Sequence, residues 1–497
     1  MQNANAPGKD LAMFIRPCDV SLQQAMQAID ANGFGIVVFV EDDVVKGILT
    51  DGDVRRALLG GAQLSDGCRA HMKRDFTVGR STLSRSVNIG LMSRRVTQLP
   101  VLDDSGRLVD LISWKDIWRL PLASPSFDGN EMQYVQDCIS SGWISSQGDY
   151  IPRFEEASRE FLGAGHALAV TSGTMALQLA IQALDIGPGD EVIVPNFTFG
   201  ASANAVMQRG ARPVFVDVDR NTWTLDLDGI EAAITPRTKA IMPVHIYGQP
   251  CDMKAIMDIA RRHRLRVIED VAEALGAEAH GRKVGTWGDV GCFSFFANKI
   301  ITTGEGGLVT TNDPVLSARL RMLRDHGMEP QRRYWHLEAG TNGRMTNLQA
   351  AIGVAQMERI EQFLSHRDQI MATYEKGLEG IPGIIPHRTT NWARRICWLF
   401  SIKINPDVFG LDRDTLLKRL SAEGIECRPV FPPLDVQPAY GYDGPSTCPV
   451  SVELGDTGMS LPTGNDIPLD EVARVANAIR SWSRPVVTHG ISAIASL

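Results

Sequence analysis

No stretch of this chain approaches the roughly 20 consecutive apolar residues that a bilayer-spanning helix needs, and its first residues, MQNANAPGKDLAMFIRPCDV, lack the basic-then-apolar pattern of a secretory leader. Cysteine is sparse: eight among 497 residues, at 18, 68, 138, 251, 292, 397, 427 and 448. None forms a C-x-x-C pair, so neither a zinc site nor a disulfide framework is expected, and a reducing cytoplasm is. Positive charge is not in excess either. The formal net charge is -8, and residues 1–121 carry 15 basic against 14 acidic residues. That balance excludes the electrostatic footprint of a nucleic-acid binder. What is present, 44% hydrophobic and 22% charged residues, is the composition of ordinary globular cores. The length suggests about three domains at roughly 150 residues each.

The chain repeats itself once near its start. GILTDGDVRRAL (Gly47 to Leu58) aligns with DLISWKDIWRL (Asp110 to Leu120) at an offset of 63 residues, and each copy follows a β-branched run and a turn. A duplicated strand, turn, strand, helix unit is expected. Thr50 and Asp53 of one copy match Ser113 and Asp116 of the other. Two readings stand for these residues. They are helix caps with first-turn acids, or they hold a ligand. The following PLASPSFDGN, rich in Pro, Ser and Gly, reads as a linker.

From Glu131 onward, strand-like segments (HALAV, EVIVP, PVFVDV, AIMPVHI, RVIEDV) alternate with helix-like ones. This argues for an α/β domain with a largely parallel sheet, whose ligands gather at the carboxyl ends of the strands. Four such ends carry chemistry. Ser172-Gly173-Thr174 opens a helix whose free N–H groups suit a phosphate, although Ser and Thr cap many helices. Phe199 in PNFTFGAS is either core or a flat face for a planar ring. RVIEDVAEALGA ends an apolar strand in Glu269 and Asp270, with Glu273 following; carboxylates there are costly unless they meet a cation. FSFFANKIITTGEGG sets Lys299 between an aromatic strand and a Gly-rich loop, with Ser294 nearby. A desolvated lysine in that place can form a Schiff base. Phosphate cradle, ring stack, carboxylate and lysine together are what pyridoxal phosphate requires.

These segments, with RMTNLQAAIG, resemble in order the signatures of the DegT/DnrJ/EryC1/StrS sugar aminotransferases over about residues 131–482. The resemblance implies aspartate-aminotransferase fold type I, with a large pyridoxal-phosphate domain built on a mixed, mostly parallel sheet (131–372) and a small C-terminal α/β domain and tail (373–497). Lys299 would be the Schiff-base lysine and Asp270 the partner of the pyridine nitrogen. Ser172, Gly173, Thr174 and Ser294 would bind the phosphate, Phe199 would stack on the ring, and Glu273 would lie near the ring hydroxyl. Asn342 would reach across a homodimer interface to the partner's cofactor; the family's GYNYR reads GTNGR here, which retains Asn342 and Arg344. Arg344 and Arg428 are substrate candidates, with a surface ion pair as the other reading of Arg428. Trp398 reads as core rather than a sugar platform.

Lysine at 299, where dehydratase relatives carry histidine, implies amino transfer from L-glutamate to a nucleotide-linked keto sugar. EDVAEALG together with SFFANKIITTGEGG is most similar to members that aminate C4 of GDP-4-keto-6-deoxymannose. The repeat resembles a pair of cystathionine-β-synthase-type (CBS) domains, α+β in class, over residues 1–121, with 122–130 as linker. That resemblance implies an adenine nucleotide near Thr50, Asp53, Ser113 and Asp116. Two other readings are a dehydratase or deaminase of the same fold, and a nucleotide sensor on a degenerate enzyme body.

Overall fold

The computed structural model describes residues 11–83, 85–93, 96–113, 120–441 and 444–483. Two compact units divide between Arg119 and Leu120, apart from residues 422–424.

The first unit realises the repeat as two three-stranded sheets of identical connectivity. In one, Ile15–Pro17 runs parallel to Ile36–Glu41, which pairs antiparallel with Val44–Thr50. In the other, Gly79–Arg80 runs parallel to Gln98–Leu102, which pairs antiparallel with Leu108–Ser113. Both hairpins carry a register irregularity, at Phe39/Val40 and at Val101/Leu102. Phe14, Ile36, Val38 and Ile48 share a core with Leu102, Leu108 and Leu111, so each copy buries its apolar face against the other.

Thr50 caps the Asp51–Leu59 helix through a reciprocal box with Asp53. The Asp53 carboxylate accepts from the Thr50 N–H at 3.1 Å and the Thr50 hydroxyl at 2.6 Å, and it pairs with Lys73 at 2.8 Å and with Arg56. Burial raises its pKa, but the hydrogen bonds from Lys73, Thr50 and Arg56 prevail and hold it at about 2. The capping reading accounts for the contacts between Thr50 and Asp53, and two ion pairs are added to it. Ser113 ends its strand buried, and Asp116 lies outside the described residues.

The second unit is built on a seven-stranded sheet: β1 (His166–Val170), β2 (Glu191–Pro195), β3 (Arg212–Val216), β4 (Thr238–Ile241), β5 (Arg266–Asp270), β6 (Val290–Ser294) and β7 (Gly307–Thr311), in the order β1-β7-β6-β5-β4-β2-β3. Only β7 runs antiparallel to its neighbours; the pairings from β6 to β3 are all parallel. Side chains alternate between faces. Leu168, Val192, Val194, Ile268, Val290 and Val309 pack under the helices Gly173–Ala183 and Pro314–Arg324. Ala169, Ile193, Ile241, Val267, Phe293 and Leu308 face a second core with Phe154, Ile256 and Val354. Each fully buried Val, Leu or Ile contributes about 1.5–3 kcal/mol.

A four-stranded antiparallel sheet of Ile384–Pro386, Phe400–Ile404, Gly458–Leu461 and Arg428–Pro429 follows. The expected boundary between residues 372 and 373 falls inside the helix Ile360–Leu378. Its Phe363 and Leu364 belong to the large core, and its Ile370, Tyr374 and Leu378 to the small one, so one helix serves both layers.

The segment read as a linker is likewise part of this unit. Leu122 is buried, its N–H donates to Glu426 at 3.1 Å, and the Ser124 hydroxyl donates to Asp466 at 2.6 Å. Its Pro and Ser residues gave the appearance of a spacer, whereas Leu122 and these paired polar groups fix it in place.

Candidate active site

Parallel order brings the ends of β5, β6 and β1 to one edge of the sheet, and antiparallel β7 starts there. Ser294 pairs in register with Gly307, which faces Val170 on its other side. Ser172 follows β1 and caps the Gly173–Ala183 helix, its hydroxyl accepting from the Met175 N–H at 3.1 Å. The first N–H groups of a helix have no partner within it. Space is tight here: a Cβ on Gly173 would lie 2.7 Å from the Ser294 Cβ, and one on Gly307 would lie 2.5 Å from the Ser172 carbonyl. Backbone and hydroxyls converge where an anion would sit.

At the end of β5, Asp270 is 5% exposed. One carboxylate oxygen accepts from the Ser202 hydroxyl at 2.8 Å and the other from the Ala272 N–H at 3.1 Å. Burial pushes its pKa up, and these two hydrogen bonds oppose the rise. Glu273 is also buried; burial pushes it up to about 7, against the pull of the Lys299 charge. Its carboxylate accepts from the Tyr247 N–H at 2.8 Å.

Lys299 follows β6 and directs its Nζ to within 3.6 Å of the Trp398 ring centroid. Burial lowers its pKa, while Glu273 and then Asp270 pull it back up.

Several contacts that matter here were not legible in advance. His245 accepts from the Cys251 N–H at Nδ1 (3.0 Å), so Nε2 carries the ring hydrogen and donates to Glu269 at 3.2 Å. Glu269 also accepts from the N–H groups of Gly285, Trp287 and Gly288 at 2.7–2.8 Å. It therefore braces a turn, on the opposite face of the strand from Asp270. The signal for Ser202 was a hydroxyl in the first turn of the helix after PNFTFG. Trp398, read as core, is indeed 4% exposed, yet it touches the lysine.

The peripheral candidates are more scattered. Phe199 is 61% exposed, its ring 5.9 Å from Phe431. Asn342 is exposed and bridges to Asp325, whose carboxylate pairs with Arg344 at 3.1 Å. Arg428 is exposed and pairs at 2.8 Å with the half-buried Glu426 two residues before it.

The residues present fit pyridoxal phosphate. Asp270 is a buried carboxylate with two neutral donors, an environment that a protonated pyridine nitrogen would complete. The Ser172–Thr174 helix start and Ser294 form a cradle that even a methyl group at Gly173 would fill. Lys299 is the amine alongside. Among the described residues no cluster of His, Cys, Asp or Glu is arranged to hold a metal ion.

Comparison with known proteins agrees with this geometry. Residues 125–480 match the DegT/DnrJ/EryC1/StrS aminotransferase family, and residues 17–60 and 69–117 match the CBS domain. The chain is 48% identical over 366 residues to the GDP-perosamine synthase of Caulobacter vibrioides, covering 73% of this chain and 98% of that one. It is 42% identical over 363 residues to that of Escherichia coli O157:H7, covering 73% and 98%. Among solved structures, DesV of S. venezuelae superposes with a TM-score of 0.68 at 37% identity, covering 72% of this chain and 95% of that one. The PLP form of Spr1654 from Streptococcus pneumoniae gives 0.69 at 28% identity, covering 73% and 98%. The chain belongs to the DegT/DnrJ/EryC1/StrS family, as a pyridoxal-phosphate-dependent sugar aminotransferase of fold type I preceded by a CBS domain pair.

Proposed function

We propose that this chain moves the amino group of L-glutamate to C4 of GDP-4-keto-6-deoxymannose, yielding GDP-perosamine for surface polysaccharide, with pyridoxal phosphate carried covalently on Lys299. The observation that carries the reaction is that Lys299 lies close enough to Glu273 and Asp270 for their charges to act on it, while the Ser172–Gly173 helix start packs against Ser294 at the same sheet edge. The choice of sugar draws on the relatives named GDP-perosamine synthase at 42–48% identity. Lysine at 299 speaks against a dehydratase or a degenerate body.

When bound, pyridoxal phosphate supplies a carbon that takes up the amine and a ring that draws electrons from the carbon losing its proton. Ser172, Gly173, Thr174 and Ser294 would hold its phosphate. Asp270 would keep a proton on the pyridine nitrogen, Glu273 would serve the ring hydroxyl, and Phe199 would offer its ring face. Lys299 Nζ, as a neutral amine, takes the proton from Cα of glutamate. The lowering of its pKa by burial enlarges that neutral fraction. In the second half-reaction the same Nζ delivers a proton to C4 of the sugar. Asn342 reaches across a homodimer interface, Arg344 and Arg428 serve the sugar nucleotide, and the CBS pair takes an adenine nucleotide. A cytoplasmic setting belongs to the proposal; among the described residues no helix is long and apolar enough to cross a membrane.

The test is incubation of the purified chain with pyridoxal phosphate, L-glutamate and GDP-4-keto-6-deoxymannose. 2-Oxoglutarate and a GDP-amino sugar are expected by mass spectrometry, and Lys299→Ala should yield neither. Preference for a UDP- or dTDP-linked keto sugar would overturn the substrate, and turnover by Lys299→Ala would overturn the lysine's role.

A further inference from the structure

Lys299 is bracketed. The carbonyl of Asn298, on its N-terminal side, accepts from the Trp398 indole N–H at 2.8 Å. The carbonyl of Ile300, on its C-terminal side, accepts from the Asn465 side chain at 2.8 Å. Both braces lead to one buried cation. Arg367 donates to the Trp398 carbonyl at 2.7 Å and, through Nε, to Asn465 at 2.8 Å. The Thr463 hydroxyl also donates to the Trp398 carbonyl, at 2.6 Å. The indole itself is stacked: Tyr247 lies 5.9 Å from it at 11°, and Phe431 lies 5.5 Å from Tyr247 at 11°. A tryptophan serving only as filler would need neither the bond to the residue next to the lysine nor the ammonium 3.6 Å from its centroid.

We propose that Trp398 is a positioning residue for Lys299: its π face receives the ammonium, and its N–H fixes the peptide that carries it. A lysine stem has four flexible carbons and a mobile head. A desolvated aromatic face beside the charge holds that head electrostatically, and the braced backbone limits where the stem can start. The consequence for turnover, that the freed amine returns to one place between half-reactions, rests on Lys299 being the cofactor-bearing lysine. The contact itself does not. The charged groups around the pair are Glu273 and Asp270 from the β5 end and Arg367 from the Ile360–Leu378 helix.

A π face favours the charged amine, so its removal lowers the pKa of Lys299. The test is competitive acetylation of lysines across pH, with the Lys299 peptide read by mass spectrometry. It is run on the full-length holoenzyme held in excess L-glutamate and repeated on the full chain stripped of cofactor, so that failure of the aminotransferase reading is seen separately. Trp398→Met, which keeps bulk and loses the π face, should shift the Lys299 midpoint down by about one pH unit, while Trp398→Phe, which keeps a π face and loses the N–H, should fall between the two. A midpoint for Trp398→Met equal to or above wild type overturns the proposal. Should the methionine variant fail to fold, the near-ultraviolet circular dichroism of the stripped wild type and of Lys299→Met decides. A changed indole signal is expected, and superimposable spectra overturn the contact.

Discussion

The main-chain N–H of Tyr247 donates to the Glu273 carboxylate at 2.8 Å from a left-handed conformation, φ 48° and ψ 27°. A buried aromatic residue adopts that conformation at a cost of about 1–3 kcal/mol. The turn is held by close packing: a Cβ on Gly248 would lie 2.0 Å from the Ile396 carbonyl oxygen, two residues before Trp398. The strained turn thus links the Glu273 carboxylate to the aromatic stack beside Lys299.

Glu273 should make stability depend on pH. Burial, opposed by Lys299, lifts its carboxyl from an ordinary 4.5 to about 7. A carboxyl that holds its proton more tightly when folded loses stability as pH rises from 4.5 to 7, and the loss is complete above that. Glu273→Gln keeps an oxygen for the Tyr247 N–H and removes the titration. Its melting temperature relative to wild type should therefore climb between pH 5 and pH 7.5, by an amount equivalent to at most about 3 kcal/mol. A constant offset across that range would contradict the buried titration.

Asp270→Asn should retain cofactor yet lose turnover by about 10²–10³-fold. Asparagine can still accept from Ser202 or Ala272, so the fold around it survives, but it cannot supply the negative charge that keeps a pyridine nitrogen protonated. Absorbance titration with pyridoxal phosphate separates loading from rate. Near-normal kcat in the loaded variant would remove this role from Asp270.

Much of this site was legible in the sequence because it lies at strand ends, where short motifs and strand order coincide. HALAV followed by Thr-Ser-Gly-Thr, and RVIED followed by VAE, set Ser172 and Asp270 at strand ends without reference to any distant contact. What was not legible depends on partners far along the chain. Glu269 and Asp270 are adjacent, and only the pleat sends one to the Gly285–Gly288 turn and the other to Ser202. His245 becomes meaningful through Cys251 and Glu269 together. Trp398 lies about a hundred residues from the lysine it touches, within a segment whose apolar character reads as core. The Ile360–Leu378 helix runs through the domain boundary that the family resemblance had implied, and periodicity alone gave no sign of its continuity.

In the N-terminal unit, the Thr50–Asp53 box sets a separate expectation. Thr50→Ala should cost about 1 kcal/mol of local stability and leave aminotransferase turnover unchanged. It is read as lost hydrogen-exchange protection over Asp51–Leu59. Asp53 adds a pH dependence of the usual carboxylate sign. With its carboxyl held at about 2 against an ordinary 3.8, the stabilisation is present above 3.8 and disappears as pH falls toward 2. Exchange measured at pH 5 and pH 2.5 should show the wild-type helix weakening and an Asp53→Ala variant weak at both. Equal protection of the wild type at the two values would mean that the cap and ion pairs do not stabilise this helix.

Gly173→Ala tests the phosphate cradle by geometry alone. The added Cβ would sit 2.7 Å from the Ser294 Cβ and 3.2 Å from its Oγ, closer than carbon atoms pack, so the helix start must move away from β6. The core beneath that helix, with Ala176, Leu177 and Ala180 buried against Val192 and Ile268, resists a large shift. The movement is therefore confined to the first turn, where the free N–H groups are. Affinity for pyridoxal phosphate should fall by at least about tenfold, the equivalent of one displaced charge-assisted hydrogen bond, while the thermal transition of the cofactor-free chain changes little. Thr174→Val, which leaves the backbone in place and removes one hydroxyl, should cost less. The order of the two variants matters most: if Thr174→Val weakens binding more than Gly173→Ala, the phosphate is held by side-chain hydroxyls rather than by the backbone of the helix start.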